Sequence, residues 1–498
     1  MLVIRTTKTA SGKIAVQAVT RRYHQTIVIK HFGSAATVNE LKELKILAQQ
    51  FIAAESKTIP LFPQYDNPDT DLVSLKKLLL KKSYHNFAYE FFDQFYRVNG
   101  FESLSSPLLK DLCIIRIVEP ASKLDSIGLL KEYFRIDYSR NELYKNLEKL
   151  RLLKPPAEIS AINYARKHLN FDFSLVFYDV TTLYYESFTD DELRKCGFSK
   201  DNKYNQPQIV VGLVVNQNGY PIAYDLFEGN KFEGHTFIPV ILRLKQKYTI
   251  ANLTVVADAA MLSQDNIKAL TQAGVNYIVA ARLANQSEKT VKRIAASFAD
   301  KRRRYYQESA NNGLLVCDYS KSRAKKDAFD REKQIAKAID QISHPEKPIK
   351  KLRFLKSLAK QKYSLNQSLI DKNKLLDGIK GYYTNLTNLP LRLIVRRYHD
   401  LWQVENSFRI AKTDLLARPI FQRKREMVET HMLIVFISLC ISKSLELLTG
   451  LSINKIKKLV WRVEDIEIED TLTGNKHVLR MEIPYNDYPD KLRRVLKG

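Results

Sequence analysis

The sequence predicts an α/β chain, a mixed β-sheet flanked by helices and interrupted by a basic inserted subdomain, preceded by a small β-rich module and a helical module. Three observations carry that prediction. From residue 174 the hydrophobic period shortens to that of buried strands, SLVFYDV, QIVVGLVV and PIAYDLF. Asn218-Gly219 between the last two is a hairpin signal. Helix-like and strand-like stretches then alternate, which is the pattern of a sheet with helical crossovers.

Taken in order, residues 3 to 31 hold the short β-like runs VIRT, KIAVQAV and TIVIKHF, broken at Ser11-Gly12, so 1–74 reads as a small β-rich region. Residues 75–169 carry helical periodicity in SLKKLLLKKS, SSPLLKDLCIIRIVE and ELYKNLEKLRLL, with Ser106-Pro107 as a helix start. This segment reads as a helical DNA-binding module, although plain helical packing accounts for it equally well. The first part of the core, 170–283, adds to the three strands an amphipathic stretch HTFIPVILRLKQKY, a strand LTVVAD, a helix over 263–272 and a strand NYIVAAR. Residues 284–376 break the pattern with 23 Lys and Arg against 10 Asp and Glu, a surplus of +13. GLLVCDY and DAFDREKQIAKAID predict folded structure inside this basic insertion. The core resumes over 377–449 with GYYTNL, a helix around 398–412 and an apolar helix over 424–448, and 450–498 is a polar tail.

A chain of 498 residues exceeds what one hydrophobic core supports, and 45% hydrophobic content suffices to bury several. Eighty Lys and Arg against 54 Asp and Glu leave +26, the electrostatic footprint of a nucleic-acid partner rather than a membrane surface. The start MLVIRTTKTASGK has no secretory apolar core, and the longest apolar run, MLIVFISLCI, is about half a membrane span, so a soluble, intracellular protein is expected. The cysteines at 113, 196, 317 and 440 form no CxxC pair, which excludes a zinc ribbon or a disulfide framework. Walker-type GxxxxGK, HExxH, GxSxG and GxGxxG runs are absent, and His235 in EGHTF reads as a capping or packing residue.

Two aspartates end hydrophobic runs, Asp179 in SLVFYDV and Asp258 in LTVVAD. Singly each reads as a cap or turn residue, but a carboxylate ending such a run has to be capped, paired or bound to a cation. In YHDLWQVENSFRIAK, 100° per residue puts Tyr398, Trp402, Glu405, Arg409 and Lys412 on one stripe beside an apolar stripe of Leu401, Val404, Phe408, Ala411 and Leu415. Glu405 as a mere i, i+4 partner of Arg409 accounts for one residue of that stripe. Asp179, Asp258 and Glu405 meeting at the sheet end account for all of it, and such a site needs cations, because three carboxylates within about 4 Å repel by roughly 4 kcal/mol per pair. All-oxygen ligation suits two Mg²⁺ or Mn²⁺ ions, which serve in-line displacement at a phosphodiester.

At this point the sequence resembles a known family. FYDVTTLYYE, GFSKDNKYNQPQIVVGLVVNQNGYPIAYDLFEGNKFEGHTFIPVI and VVADAAMLS, in this order, resemble the core of DDE transposases of bacterial insertion sequences, nearest to insertion-sequence family four. RIVEPASKLDS and SKSRAKKDAFDRE add to the likeness, which spans about 105–448. The resemblance implies an RNase H-like fold, a catalytic and metal-binding triad at Asp179, Asp258 and Glu405, double-stranded DNA as substrate and a synaptic homodimer. It implies strand cleavage at element ends followed by 3′-hydroxyl attack on target DNA; a nuclease without strand transfer, or an inactive DNA-binding regulator, are the alternatives. The family signature of Tyr, two residues, Arg, three residues, Glu, six residues, Lys falls on Tyr398, Leu401, Glu405 and Lys412, with leucine at the arginine position. Arg409 and Trp402 are expected to stand in for that arginine, one for phosphate and one for stacking. Lys200 and Lys203, with the KRRR and KSRAKK runs, are expected phosphate contacts.

Overall fold

The computed structural model describes all residues except 1, 23–24, 57–77, 187–188, 200–204, 262, 301–302, 345–351, 360–361, 472–473, 482–483, 485–486 and 498. The chain divides into two compact units, residues 1–87 with 461–483, and 88–460 with 484–498.

In the first unit, β1 (Leu2–Lys8), β2 (Ile14–Arg22) and β3 (Gln25–Ala35) form the expected antiparallel sheet. Helix α1 (Val38–Ser56) packs on it. The stretch SLKKLLLKKS, expected as helix, instead contains a strand, β4 (Leu78–Tyr84). Its partner lies nearly 400 residues away: β15 (Glu464–Asp470) pairs with β4 on one side and with β16 (Lys476–Met481) on the other. A distant strand offering a full ladder of backbone bonds outweighs a local leucine–lysine period.

The second unit opens with helices α2 (Asn86–Val98), α3 (Pro107–Val118), α4 (Lys123–Phe134), α5 (Arg140–Leu150) and α6 (Lys154–Leu169). Helix α3 starts where the sequence placed it: the Ser106 side chain accepts from the Leu109 amide, and Pro107 occupies the first turn. The core strands are β5 (Val176–Tyr184), β6 (Gln208–Asn216), β7 (Pro221–Glu228), β8 (Thr254–Ala257) and β9 (Asn276–Ala281). Helices α7 (Gly234–Lys247) and α8 (Gln264–Gln272) intervene. β5, β6 and β7 are antiparallel, whereas β8 and β9 add parallel to β5. The resulting order, β7-β6-β5-β8-β9, is an RNase H-like mixed sheet. At the Asn218-Gly219 turn Gly219 has φ of 77°, and the Asn216 carboxamide oxygen accepts from the Asn218 and Tyr220 amides.

The basic insertion is less separate than its composition suggests. After α9 (Glu288–Ser297), the hairpin β10 (Tyr305–Ala310) and β11 (Gly313–Tyr319) extends the core sheet through β14 (Ile379–Thr384), giving eight strands ordered β10-β11-β14-β9-β8-β5-β6-β7. The rest, α10 (Lys321–Ser343), β12 (Leu355–Ala359), β13 (Lys362–Leu365) and α11 (Gln367–Leu375), keeps a small core around Ala338, Phe354 and Ile370.

Helices α12 (Leu391–His399), α13 (Trp402–Arg409) and α14 (Arg425–Thr449) follow, then α15 (Ile453–Val460) and, after the first unit's β15 and β16, α16 (Asp490–Lys497). Helix α14 is long and apolar enough to cross a membrane, yet 83% of its apolar window is buried within the protein. It packs on α3, α5 and β7, with Tyr224 and Phe436 rings 5.1 Å apart. Its role here is that of a core helix.

Candidate active site

Strand pairing brings the two aspartates together. Val176 pairs with Val255 and Phe177 with Val256 across parallel strands, so two residues further along both chains Asp179 and Asp258 stand at one level. The expectation that Asp179 ends its strand is corrected: β5 runs on to Tyr184 because VTTLY stays paired with β6 along its whole length. What ends at this level is β8, whose last residue is Ala257, and the two strands part there. Their amides turn inward, Val180 donating to Asp179 Oδ1 at 2.8 Å and Ala259 to Asp258 Oδ1 at 2.7 Å.

The face is fixed by alternation. Tyr178 donates its hydroxyl to Thr236 of α7, so Asp179 points to the other side of the sheet. That side carries Thr181 and Leu183, which line an apolar pocket with Phe408, Ala411 and Lys412. Helix α13 is held there through Ser407, whose buried hydroxyl donates to the Gly219 carbonyl at 2.6 Å, and Glu405 in its first turn is exposed.

The single stripe read from YHDLWQVENSFRIAK does not exist as one helix. The helix tightens at Asp400-Leu401, where Leu401 donates to Tyr398 and Val404 to Leu401 over three residues, and after Arg409 it widens into a π turn over Ile410–Asp414. The apolar side survives, with Leu401, Val404, Phe408, Ala411 and Leu415 all buried. The polar side is split: Tyr398 is buried on α12, Trp402 is 53% exposed, and Lys412 sits on the π turn. Arg409 bonds Asn406 and lies 3.6 Å from Asp414, so it is not the partner of Glu405. Glu405 makes no hydrogen bond or ion pair among the described residues. Lys200 and Lys203 lie outside the described residues.

Tyr398 ties the site together. Its hydroxyl lies 3.4 Å from Asp258 Oδ1, a long contact, and its pKa is raised, first by burial and then by the fields of Asp258, Glu405 and Asp179. All three acids therefore act on one phenol. Around it are residues the sequence reading missed. Tyr382 on β14 packs at 4.6 Å between centroids and donates to Asp318 at 2.7 Å, and His399 Nε2 lies 3.6 Å from Asp318. Lys380, also on β14, places its ammonium 4.4 Å from the Tyr398 ring centroid. A lysine and a tyrosine on one face of a strand as buried as GIKGYYT was the signal available.

Among the described residues no three His, Cys, Asp or Glu side chains close into a metal cage. The donors still fit Mg²⁺ or Mn²⁺, because these ions keep several waters and take one or two carboxylates plus substrate oxygens. Asp179 and Asp258 are such a pair, with Glu405 uncommitted nearby.

Residues 171–441 match the family model described as Transposase DDE domain, more than half of the chain. The chain belongs to the DDE transposase family. Asp179, Asp258 and Glu405 all fall inside the matched span of this transposase. Comparison with curated proteins found no match. Among solved structures, a piggyBac transposase synaptic complex with hairpin DNA is similar at 10% identity and TM-score 0.38, over 76% of this chain and 70% of that one. A Mos1 transposase paired-end complex with left transposon end aligns at 14% identity and TM-score 0.16, over 49% and 67%. A Mos1 mariner paired-end complex with Mn aligns at 13% and 0.16, over 49% and 78%. Such scores fall below the level at which a shared fold can be argued.

Proposed function

We propose that this family member is a transposase of the insertion-sequence family four group, which cleaves DNA at element ends and joins the freed 3′-hydroxyl to target DNA. The observation that carries the reading is the shared level of Asp179 and Asp258 on neighbouring parallel strands, with an unpaired Glu405 on the helix over the same face. Two divalent ions held by Asp179, Asp258 and Glu405 would supply nucleophile activation and leaving-group stabilisation in the displacement. The residues themselves orient and exclude: Tyr398 braces Asp258, and the apolar side of α13 seals the sheet face against water.

The substrate is double-stranded DNA, in keeping with the +26 net charge. Trp402 and Arg409, both exposed, contact the strand near the cut, and Lys412, Lys200 and Lys203 add phosphate contacts. Helices of the 75–169 segment bind the element ends, two copies of the chain hold a pair of ends, and the protein works at the nucleoid of a prokaryotic cytoplasm.

The test is incubation of the full chain with Mg²⁺ and DNA carrying its element ends, alongside Asp258→Ala. Cleavage and joining to a second DNA, both lost in the variant, support the proposal. Cleavage without joining leaves a nuclease. DNA binding without metal-dependent cleavage leaves a regulator and overturns the enzyme.

A further inference from the structure

Lys380 is an unusual lysine for its surroundings. It sits half-buried on β14, an interior strand of the eight-stranded sheet, where a charged group normally touches an opposite charge. Lys380 forms no ion pair and no hydrogen bond among the described residues; its ammonium rests on aromatic rings, 4.4 Å from the centroid of Tyr398 and 5.9 Å from that of Tyr382. The charged groups that face it are Asp318, Asp258 and Glu405, which attract, and Arg323, which repels. Two of those three acids belong to the candidate site, and Tyr398, the ring it is seated on, points its hydroxyl at one of them.

Resting on the metal-site reading above, we propose that Lys380 is a positioning residue of that site, a built-in cation that seats Tyr398 against Asp258 and offsets the acids' charge until divalent ions take it over. Two physical consequences follow from the geometry. The ammonium attracts the face of the Tyr398 ring, which fixes the ring plane and with it the direction of the hydroxyl. Its charge also moderates the repulsion among the carboxylates, and once a divalent ion is present the same charge opposes it. A lysine serving only as packing material would have the first consequence through its methylene stem and none of the second.

Direct Mn²⁺ binding separates these roles without reference to activity. The full chain, without DNA, is titrated with Mn²⁺ and free ion is read by electron paramagnetic resonance, for the unaltered protein, Lys380→Met, Lys380→Gln, Lys380→Arg and Asp258→Asn. Lys380→Met and Lys380→Gln should each bind Mn²⁺ at least threefold more tightly, and Lys380→Arg should stay within twofold. Folding of each variant is checked by thermal melting, and the glutamine variant carries the test should the methionine variant not fold. Unchanged or weaker Mn²⁺ affinity in the folded neutral variants, with Asp258→Asn clearly weakened, overturns the role of Lys380 and leaves the metal site standing. Mn²⁺ affinity that Asp258→Asn leaves untouched overturns both.

Discussion

Tyr398 shows how one side chain can change meaning between sequence and structure. On the helical stripe it was a DNA-holding residue; in the fold it is buried, with its hydroxyl toward Asp258. Tyr398→Phe removes that hydroxyl and keeps the ring. The contact is long, so its loss costs about 0.5–1.5 kcal/mol, and single-turnover DNA cleavage should fall by roughly 2- to 10-fold with a small fall in melting temperature. Trp402 gives the opposite contrast, since its exposed ring supports nothing in the core: Trp402→Ala should leave melting unchanged and weaken DNA binding, read by fluorescence anisotropy. A third residue-scale outcome concerns Lys123, buried with Arg116 against His431. The His431 Nδ1 lies 3.1 Å from Arg116 Nη2 and 3.3 Å from Lys123 Nζ, and its Nε2 is 3.0 Å from the Ala417 carbonyl, the pattern of a neutral ring accepting from two cations. Burial first, then repulsion from the neighbouring cations, Arg116 for Lys123 and both Lys123 and Arg116 for His431, pushes the pKa of Lys123 and of His431 well down. The unfolded chain therefore binds more protons than the folded one. Stability is greatest above the ordinary values and falls as pH drops, for His431 from about 6.5 downward. Replacing a poorly compensated buried cation by an apolar chain of similar length stabilises, so Lys123→Met should raise stability by roughly 1–4 kcal/mol, checked by chemical denaturation at pH 7.

At the scale of elements, the link between the β6–β7 turn and α13 positions Glu405. Gly219 has φ of 77°, and a Cβ there would lie 2.9 Å from Gln403 Oε1 and 3.1 Å from the Gln403 carbonyl oxygen, on the helix that carries Glu405. Gly219→Ala should therefore cost about 1–2 kcal/mol of stability through the backbone alone, and should lower cleavage further by displacing α13, measured as a loss that persists well below the melting temperature. The turn itself was legible, because Asn-Gly between two apolar runs admits few other conformations. So were β5, β8, β9 and β14, whose apolar runs are bounded by polar breaks, and α14, whose apolar length leaves little alternative. β4 was not legible, since LLLKKSY becomes a strand through pairing with residues 465–470, a contact that no local window contains. The stripe on 398–412 failed for another reason: a fixed 100° step cannot register a tightened turn at Asp400 followed by a π turn at Ile410. Of the proposed site, the two aspartates could be singled out because each follows an apolar run, and Glu405 because it lies on the polar side of an amphipathic stretch. Lys380 and Tyr382 offered only the signal of two polar side chains on one face of a β-like run, and their link to Asp318 depends on β14 and β11 lying beside each other.

At the scale of the whole molecule, the surplus of positive charge is unevenly spread, and half of it falls in 284–376, the segment whose hairpin extends the core sheet. That continuity places a basic helix, α10, on the same sheet-bearing unit as the acids. Lys321, Lys325 and Lys326 are exposed on its first turns and make no ion pair among the described residues, whereas their neighbour Arg323 lies 3.7 Å from Asp327. Uncommitted lysines on a folded helix are the ones available to phosphates. Each phosphate contact releases condensed counterions, so the logarithm of DNA affinity should fall linearly with the logarithm of salt at a slope near −0.9 per contact, and six contacts correspond to a loss of about a thousandfold between 50 and 200 mM. Changing Lys321, Lys325 and Lys326 together to glutamine should reduce that slope by about three while leaving sequence preference intact. A slope that does not move would mean that α10 faces solvent in the complex, and the charge that binds DNA would then have to be sought on the strand-facing side of α12 and α13 instead.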